Sequence, residues 1–240
     1  MSEQVQASYL SLNGGAMLYD ARLGGDPGAD WFDVSRWRGQ GRVVGQAGAG
    51  RGSVWFVESG QGVWALRHYC RGGLVSRLIS DHYIWLNEER TRSFQEWRLL
   101  AELRARSLPV PAPVAARYLR RGPFYRADLI TAFVDAPSFQ TLMLDNRLNA
   151  AIWHEVGKVL RRFHDEGVYH ADLNIRNMLV DADGEVCLLD FDRGRRRAPG
   201  AWSKQNLQRL ERSIQKICRI TGARFDAAGW QSQLAGYNAA

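Results

Sequence analysis

Two short apolar runs separated by an Asp-Gly turn constrain this chain more than any other feature. Residues 177–181 and 185–191 have the composition of β-strands, and Asp183-Gly184 between them predicts a tight hairpin. A hairpin returns its two ends to one place, so Asn177 and Asp190 are expected to lie together although they are 13 residues apart in sequence. The sequence therefore predicts an amide and a carboxylate side by side at the open end of a hairpin.

A second carboxylate, Asp172, lies in the loop before this hairpin. Phosphoryl transfer needs a carboxylate that accepts or orients the proton of the acceptor hydroxyl, and oxygen ligands for a Mg²⁺ ion that bridges the ATP phosphates. Asp172 is the candidate catalytic base, and Asn177 and Asp190 are the candidate metal ligands.

The same residues resemble the catalytic loop of the protein-kinase-like superfamily. His170-Ala171-Asp172-Leu173-Asn174-Ile175-Arg176-Asn177 matches the pattern H-R-D-L-x-x-x-N, and Asp190-Phe191-Asp192 stands where kinases carry D-F-G. The resemblance implies ATP and Mg²⁺ as cofactors and a bracing role for His170. It also implies an α+β, bilobal fold, with an antiparallel-sheet N-lobe that carries one helix and a truncated helical C-lobe.

The pattern along the chain agrees with that division. Strand-like runs dominate up to a helical stripe at 94–103, and two further strands are predicted near 115–119 and 124–131. Beyond them, helical stripes at 152–163 and 207–217 predominate. We expect residues 1–131 to form the N-terminal region and N-lobe and residues 132–240 to form the C-lobe, with a cleft between the lobes.

Upstream residues supply the expected nucleotide-binding parts. In the glycine cluster that resembles the kinase phosphate loop, the candidates are Gly48, Gly50, Gly52 and Ser53. Arg67 replaces the phosphate-pairing Lys of V-A-I-K, and Glu96 on the following helix is the expected ion-pair partner. Glu88, Glu89 and Glu102 are rival partners. Ile130 lies in the segment 128–133, where the resemblance places the hinge whose backbone binds adenine.

Departures from the protein-kinase pattern narrow the class. Asn174 replaces the Lys of Ser/Thr kinases, Asp192 replaces the Gly of D-F-G, and no Ala-Pro-Glu follows at an appropriate distance. Only 48 residues follow Asp192, which are too few for the peptide-binding helical subdomain of a protein kinase. A truncated C-lobe favours a small or lipid-linked acceptor.

At family level the chain resembles the lipopolysaccharide-core kinases, and among them those that act on 3-deoxy-D-manno-octulosonic acid (Kdo). The segments that carry the resemblance are Leu66-Arg67-His68-Tyr69-Cys70-Arg71-Gly72-Gly73, Thr91-Arg92-Ser93-Phe94-Gln95-Glu96, Asp128-Leu129-Ile130-Thr131, His170-Ala171-Asp172-Leu173-Asn174 and Asp190-Phe191-Asp192-Arg193-Gly194. An Arg at the position of Arg67 belongs to that family's pattern. The resemblance implies transfer of the ATP γ-phosphate to the 4-hydroxyl of Kdo on a lipid A precursor, at the cytoplasmic face of the inner membrane.

Charge fits an anionic acceptor. The chain has 32 Lys and Arg against 25 Asp and Glu, a net charge of +7. Such a surface favours phosphorylated substrates or anionic membranes, and Arg is suited to bidentate contacts with phosphate. The candidate acceptor-binding residues are Arg71, Arg77, Arg193, Arg195 and Arg196. We expect peripheral attachment to the membrane surface, no nucleic-acid partner and no obligate protein partner.

Two other functions stay open from the sequence. One is a small-molecule phosphotransferase of the aminoglycoside-kinase type, whose cationic acceptors favour acidic sites rather than an Arg-rich one. The other is a non-catalytic pseudokinase scaffold, against which the presence of Asp172, Asn177 and Asp190 argues. No apolar run approaches the ~20 residues of a membrane span, and no secretory signal is visible.

Overall fold

The protein divides into two compact units. The computed structural model describes residues 4–23, 26–48, 52–70 and 81–239. Unit 1 comprises residues 1–106 and 111–133, and unit 2 comprises residues 107–110 and 134–240. The boundary thus follows Phe133, and the short segment 107–110 belongs to unit 2.

Unit 1 is built on one antiparallel sheet. Its described strands are β1 (Ala7–Leu12), β2 (Gly15–Asp20), β3 (Val43–Ala47), β4 (Val54–Glu58), β5 (Val63–His68), β6 (Tyr83–Ile84), β7 (Pro113–Arg121) and β8 (Phe124–Ala132). The strand order is β1-β2-β7-β8-β5-β4-β3, and β6 pairs with β8 beside this path. Two helices accompany the sheet, α1 (Val34–Gly39) and α2 (Arg92–Ala105). The predicted helix at 94–103 is α2; the short α1 was not predicted.

Tryptophans fill much of the unit 1 core. The indole rings of Trp31 and Trp37 lie 5.0 and 6.1 Å from that of Trp64 on β5. The Trp37 Nε1–H donates to the Trp31 carbonyl at 2.8 Å, which satisfies a polar group that burial would otherwise leave unpaired. Segment 29–39 therefore packs its aromatic side chains against the central strands that carry Arg67.

Unit 2 is mainly helical. Its helices are α3 (Phe139–Leu144), α4 (Ala150–Asp165), α5 (Trp202–Thr221) and α6 (Ala227–Ala239). Two small antiparallel pairs accompany them: β10 (Met178–Val180) with β11 (Val186–Leu188), and β9 (Val168–Tyr169) with β12 (Arg195–Arg196). The predicted hairpin around Asp183-Gly184 and the two predicted helical stripes are confirmed as β10–β11, α4 and α5.

Helix α6 packs closely against α4 through glycine. A side chain at Gly157 of α4 would place its Cβ 2.0 Å from the Gln233 carbonyl oxygen, and one at Gly236 would lie 2.1 Å from the His154 carbonyl. Only glycine fits at either contact, so the two backbones approach directly.

The fold is α+β with an antiparallel sheet, as the sequence predicts. In the part of the chain that the structure describes, no helix combines the length and apolar character that a membrane span requires.

Candidate active site

The β10–β11 hairpin brings the two predicted metal ligands together. Asn177 directly precedes β10, and the Leu189 amide donates to the Asn177 carbonyl at 2.9 Å. Asp190 is the next residue, with a φ of 62°, so the backbone turns sharply at this carboxylate. The hairpin therefore sets the amide of Asn177 across from the segment that carries the carboxylate of Asp190.

Their side chains fit a magnesium ion that is also held by phosphate. Carboxylate and amide oxygens are hard ligands of the kind Mg²⁺ prefers. The Asn177 Nδ2 donates to the Asp172 carbonyl at 3.0 Å, which leaves its Oδ1 as the outward acceptor. Among the described residues no three His, Cys, Asp or Glu side chains gather into a metal site. The pair Asn177 and Asp190 thus suits a metal that takes its other ligands from water and substrate.

His170 braces the catalytic loop. Its Nδ1 accepts the Asp172 amide at 3.1 Å, and its Nε2 lies 2.9 Å from the Leu189 carbonyl, to which it donates. The ring is buried against Phe191, with centroids 4.7 Å apart. Burial lowers the pKa of His170, so the ring stays neutral and keeps the tautomer that joins the two loops.

Helix α5 holds the catalytic loop from the other side. The buried Asn206 accepts the His170 amide at 3.3 Å and donates to the His170 carbonyl at 3.0 Å. About two turns further along the helix, the Ser213 hydroxyl accepts the Ile175 amide at 3.2 Å. These contacts fix both ends of the segment that carries Asp172.

Between these two contacts, Arg209 forms an ion pair with Asp172. Its Nη2 contacts the Asp172 Oδ1, and both side chains are about half exposed, 46% and 51%. The Asp172 carbonyl accepts from Asn174 and Asn177, so the backbone is held while the carboxylate faces solvent. This arrangement leaves the carboxylate accessible to an acceptor hydroxyl.

The carboxylate of Asp172 lines a cavity of about 580 Å³ within unit 2. The cavity is lined by the catalytic loop and by one face of α5, including Arg209, Arg212 and Lys216. Among the described residues that line it, Asp172 is the one acidic residue, and four are basic: Arg176, Arg209, Arg212 and Lys216. The cavity is therefore open to an anionic ligand beside the candidate base.

In unit 1, Arg67 and Glu96 form an ion pair inside the protein. The Arg67 Nη2 contacts the Glu96 Oε2 and donates to the Tyr69 hydroxyl at 3.0 Å, and that hydroxyl donates to the same Glu96 oxygen at 2.5 Å. The guanidinium also lies over the Tyr69 ring, 4.6 Å from its centroid. Glu96 is buried, and the Arg67 side chain is 21% exposed.

The rival glutamates have other partners. Glu88 accepts the hydroxyls of Tyr9 and Tyr118 at 3.0 and 2.7 Å. Glu89 pairs with Arg98, and Glu102 pairs with Arg106 one helical turn away. Of the four candidates, Glu96 is the one that the structure places on Arg67.

The described part of the glycine cluster lies close to Arg67. Gly48 has a φ of 79°, which a turn between β3 and β4 requires of glycine. Ser53 accepts from the Gln46 amide at 2.8 Å and, with Arg67, lines a cavity of about 110 Å³. Gly52 is exposed, and Gly50 lies outside the described residues.

Ile130 lies in the interior of the sheet. It pairs in register with Leu66 of β5 and with Ala115 of β7, and its side chain is fully buried. The expectation of a hinge backbone exposed at this residue is not met, because β8 is a central strand there and unit 1 continues to Phe133.

The predicted acceptor-binding arginines differ in the contacts that they make. Arg195 lies over the Tyr169 ring, 5.6 Å from its centroid, and Arg196 donates to the Glu166 carbonyl at 3.1 Å. Arg193 has a φ of 61°. Arg193, Arg195 and Arg196 are not among the residues that line the cavity at Asp172. Arg71 and Arg77 lie outside the described residues.

Sequence reasoning missed the polar residues of α5. The apolar stripe at 207–217 predicted the helix, and the polar residues that contact the loop or line the cavity lie between the apolar ones. They are Asn206, Arg209, Arg212, Ser213 and Lys216. Their spacing of three and four residues places them on one helix face, and that spacing is the signal that identifies them.

Comparison with known proteins identifies the family of this chain. The model of the lipopolysaccharide kinase (Kdo/WaaP) family matches residues 34–237. The chain belongs to this family. It is a kinase with the protein-kinase-like fold that the catalytic-loop pattern implies.

Curated relatives cover most of the chain. A protein of Stenotrophomonas maltophilia (strain R551-3) is 43% identical over 207 residues, which are 85% of this chain and 81% of the relative. A Vibrio vulnificus (strain YJ016) protein is 38% identical over 92% of this chain and 94% of its own length. One from Photobacterium profundum is 42% identical over 86% of this chain and 87% of its own length. Each relative is named 3-deoxy-D-manno-octulosonic acid kinase.

Proposed function

We propose that this kinase transfers the γ-phosphate of ATP to the 4-hydroxyl of Kdo on a Kdo-lipid A precursor. The observation that carries the proposal is the half-exposed carboxylate of Asp172 in a cavity whose other charged lining residues are basic. A phosphorylated glycolipid with a sugar carboxylate matches that charge. The names of the three relatives support Kdo as the acceptor sugar.

Asp172 acts on the acceptor hydroxyl. The hydroxyl oxygen forms a bond to the γ-phosphorus while the bond from that phosphorus to the β,γ-bridging oxygen breaks, and ADP leaves. The hydroxyl proton passes to the Asp172 carboxylate. His170, Asn206 and Ser213 hold the loop so that the carboxylate keeps its place during the transfer.

Other residues would bind the nucleotide and its metal. Asn177 and Asp190 would hold Mg²⁺, which supplies charge neutralisation at the phosphates when it is bound. Arg67, fixed by Glu96 and Tyr69, would contact phosphate oxygens of ATP. Gly48 and its neighbours would leave room for the phosphates beside the backbone.

We further propose that the protein attaches to the anionic surface of the inner membrane on its cytoplasmic side. Three exposed apolar side chains support this: Ile84 and Leu86, each 64% exposed, and Phe124, which pairs in register with Ile84. The exposed Arg121 faces Phe124 across the β7–β8 ladder. Apolar and basic side chains together suit an anionic lipid surface.

Sedimentation with vesicles tests this attachment. We expect anionic vesicles to recover the protein and the double variant Ile84→Ser with Leu86→Ser to bind them more weakly. Equal recovery with neutral vesicles would contradict the proposed attachment.

The test of the reaction uses purified protein with Mg²⁺ and ATP. The acceptors are Kdo-lipid A precursor, an aminoglycoside and a generic protein, and mass spectrometry and phosphorus NMR identify the product and the modified hydroxyl. We expect one phosphate on the 4-position of Kdo. Phosphate on the aminoglycoside or the protein alone would overturn the acceptor, and ATP binding without any transfer would favour the scaffold function.

A further inference from the structure

The face of α5 that lines the cavity is charged at one end and apolar at the other. Arg209 lies beside Asp172, Arg212 and Lys216 follow at intervals of three and four residues, and Ile220 comes last. Residues at these intervals share one helix face. Eleven residues of helix rise about 16 Å. The face thus runs from the candidate base through two cations to an apolar end.

Two of the cations on this wall are available to a ligand. Arg209 is paired with Asp172, and Arg176 donates to the Gln140 side chain at 2.8 Å. Arg212 and Lys216 are exposed and have no hydrogen bond or ion pair with any residue in the described ranges. Two neighbouring cations that form no ion pair with a carboxylate of the described residues make a site for a phosphate or carboxylate group.

The far end of the wall is apolar and exposed. The Ile220 side chain is 68% exposed although it belongs to a helix whose other isoleucines, Ile214 and Ile217, are buried. An apolar side chain in water next to a cationic stretch is matched by a ligand that is both anionic and lipidic.

We propose that α5 provides the acceptor-binding wall of the enzyme. Arg212 and Lys216 bind an anionic group of the glycolipid, and Ile220 lies against its apolar part, with the reacting hydroxyl at Asp172. The proposal rests on the proposed function and deepens it. The proposal places acceptor recognition on α5 and not on the segment 193–196. In that segment Arg195 contacts the Tyr169 ring and Arg196 contacts the Glu166 carbonyl.

The decisive experiment compares two double variants with the same loss of charge on the same helix. Arg212→Ala with Lys216→Ala removes the cations of the wall. Lys204→Ala with Arg219→Ala removes two exposed cations of α5 that do not line the cavity. We expect the first to raise the KM for Kdo-lipid A precursor about tenfold or more, with the KM for ATP unchanged, because charge-assisted hydrogen bonds to the acceptor are lost. The control should stay within about twofold, as expected for solvated surface charges.

Two further experiments identify which groups of the glycolipid bind to Arg212, Lys216 and Ile220. If Arg212 and Lys216 bind lipid phosphate, a dephosphorylated acceptor should show the same KM with wild type and the wall variant; if they bind the Kdo carboxylate, the difference should persist. Ile220→Gln should raise the KM for the acylated acceptor and leave that for a deacylated acceptor unchanged. Equal effects on both acceptors would remove Ile220 from the proposal.

Direct binding separates this proposal from the reaction itself. Titration of the glycolipid into protein without ATP should give weaker binding for the wall variant than for wild type and the control. A wild-type enzyme that phosphorylates Kdo, with equal KM and equal binding in both double variants, would overturn the α5 wall alone. A wild-type enzyme that transfers nothing to Kdo would overturn the proposed function, and the binding titration would still decide whether α5 holds the glycolipid.

Discussion

One arginine–carboxylate pair from each unit can be compared, and the two pairs differ in burial. Arg67 and Glu96 in unit 1 are enclosed, with the carboxylate 2% exposed and the Tyr69 hydroxyl bonded to both partners. Arg209 and Asp172 in unit 2 are each about half exposed. Water competes with the ion pair of Arg209 and Asp172 more than with that of Arg67 and Glu96. Removal of one partner is therefore expected to lower the free energy of unfolding much more in unit 1.

The difference fits two different tasks. An enclosed pair holds one geometry at all times, which suits a residue that positions phosphate. An exposed pair exchanges partners at low cost, which suits a carboxylate that must accept a proton from an arriving hydroxyl.

Removal of Glu96 should have the largest effect on stability. Glu96→Ala removes the buried carboxylate that pairs with the Arg67 guanidinium in unit 1, and we expect a loss of about 4 kcal/mol in the free energy of unfolding. Urea denaturation measures it. Glu102→Ala breaks an exposed pair on the same helix and should cost less than about 0.5 kcal/mol. Equal losses in the two variants would show that burial does not distinguish the pairs.

Acid should weaken unit 2 through the half-buried histidine His164. His164 lies against Trp202 and Tyr237, and burial lowers its pKa to about 4. In the unfolded chain this group becomes protonated near pH 6.5. Its contribution to the free energy of unfolding is therefore complete above that pH. As the pH falls towards 4, this contribution is lost, by up to about 3 kcal/mol. His68 in unit 1 has a raised pKa, chiefly from its hydrogen bond to Asp128. Its contribution to stability is therefore present at low pH and is lost as the pH rises.

Hydrogen exchange measured by mass spectrometry at pH 7 and pH 4.5 compares the units directly. Amides of unit 2 should lose more protection on acidification than those of unit 1. His164→Gln should remove most of the difference. Equal loss of protection in both units of the wild-type protein would contradict the assignment to His164.

The contact between α5 and the catalytic loop should have an intermediate effect. Asn206→Ala removes two buried hydrogen bonds to the His170 backbone, and we expect a loss of about 2 kcal/mol in stability and a kcat lowered about tenfold. Gln205→Ala changes an exposed neighbour on the same helix and should change neither quantity. A normal kcat in Asn206→Ala would mean that the loop keeps its position without α5.

Arg209 should have the smallest effect on stability. Because Arg209 and Asp172 are half exposed, Arg209→Ala should change the free energy of unfolding by less than about 0.5 kcal/mol. Thermal and urea unfolding measure this change. A loss above about 1.5 kcal/mol would show that this pair is as integral to its unit as Arg67 and Glu96 are to theirs.

The features that the sequence predicted depend on local signals. The Asp183-Gly184 turn specifies the β10–β11 hairpin. Apolar periodicity predicted α2, α4 and α5. The pairing of Arg67 with Glu96 followed from the resemblance to kinases, since periodicity alone did not separate Glu96 from its three rivals.

The features that the sequence did not predict depend on contacts between distant residues. Helix α6 has few large apolar side chains and is held by backbone contacts at Gly157 and Gly236. Strands β1 and β2 showed only the turn glycines at 14 and 15. Arg209 meets Asp172 across 37 residues of chain, and nothing in either local sequence points to the other.

The proposed role of Asp172 as the catalytic carboxylate for transfer to Kdo is tested most directly by Asp172→Asn. The variant keeps the size of the side chain and its contact with Arg209 but cannot accept the proton. We predict a kcat with Kdo-lipid A precursor at least about 10²-fold lower, with ATP affinity unchanged within about threefold by calorimetry. A variant that keeps more than about a tenth of wild-type turnover would contradict the account, because proton transfer would then not depend on this carboxylate.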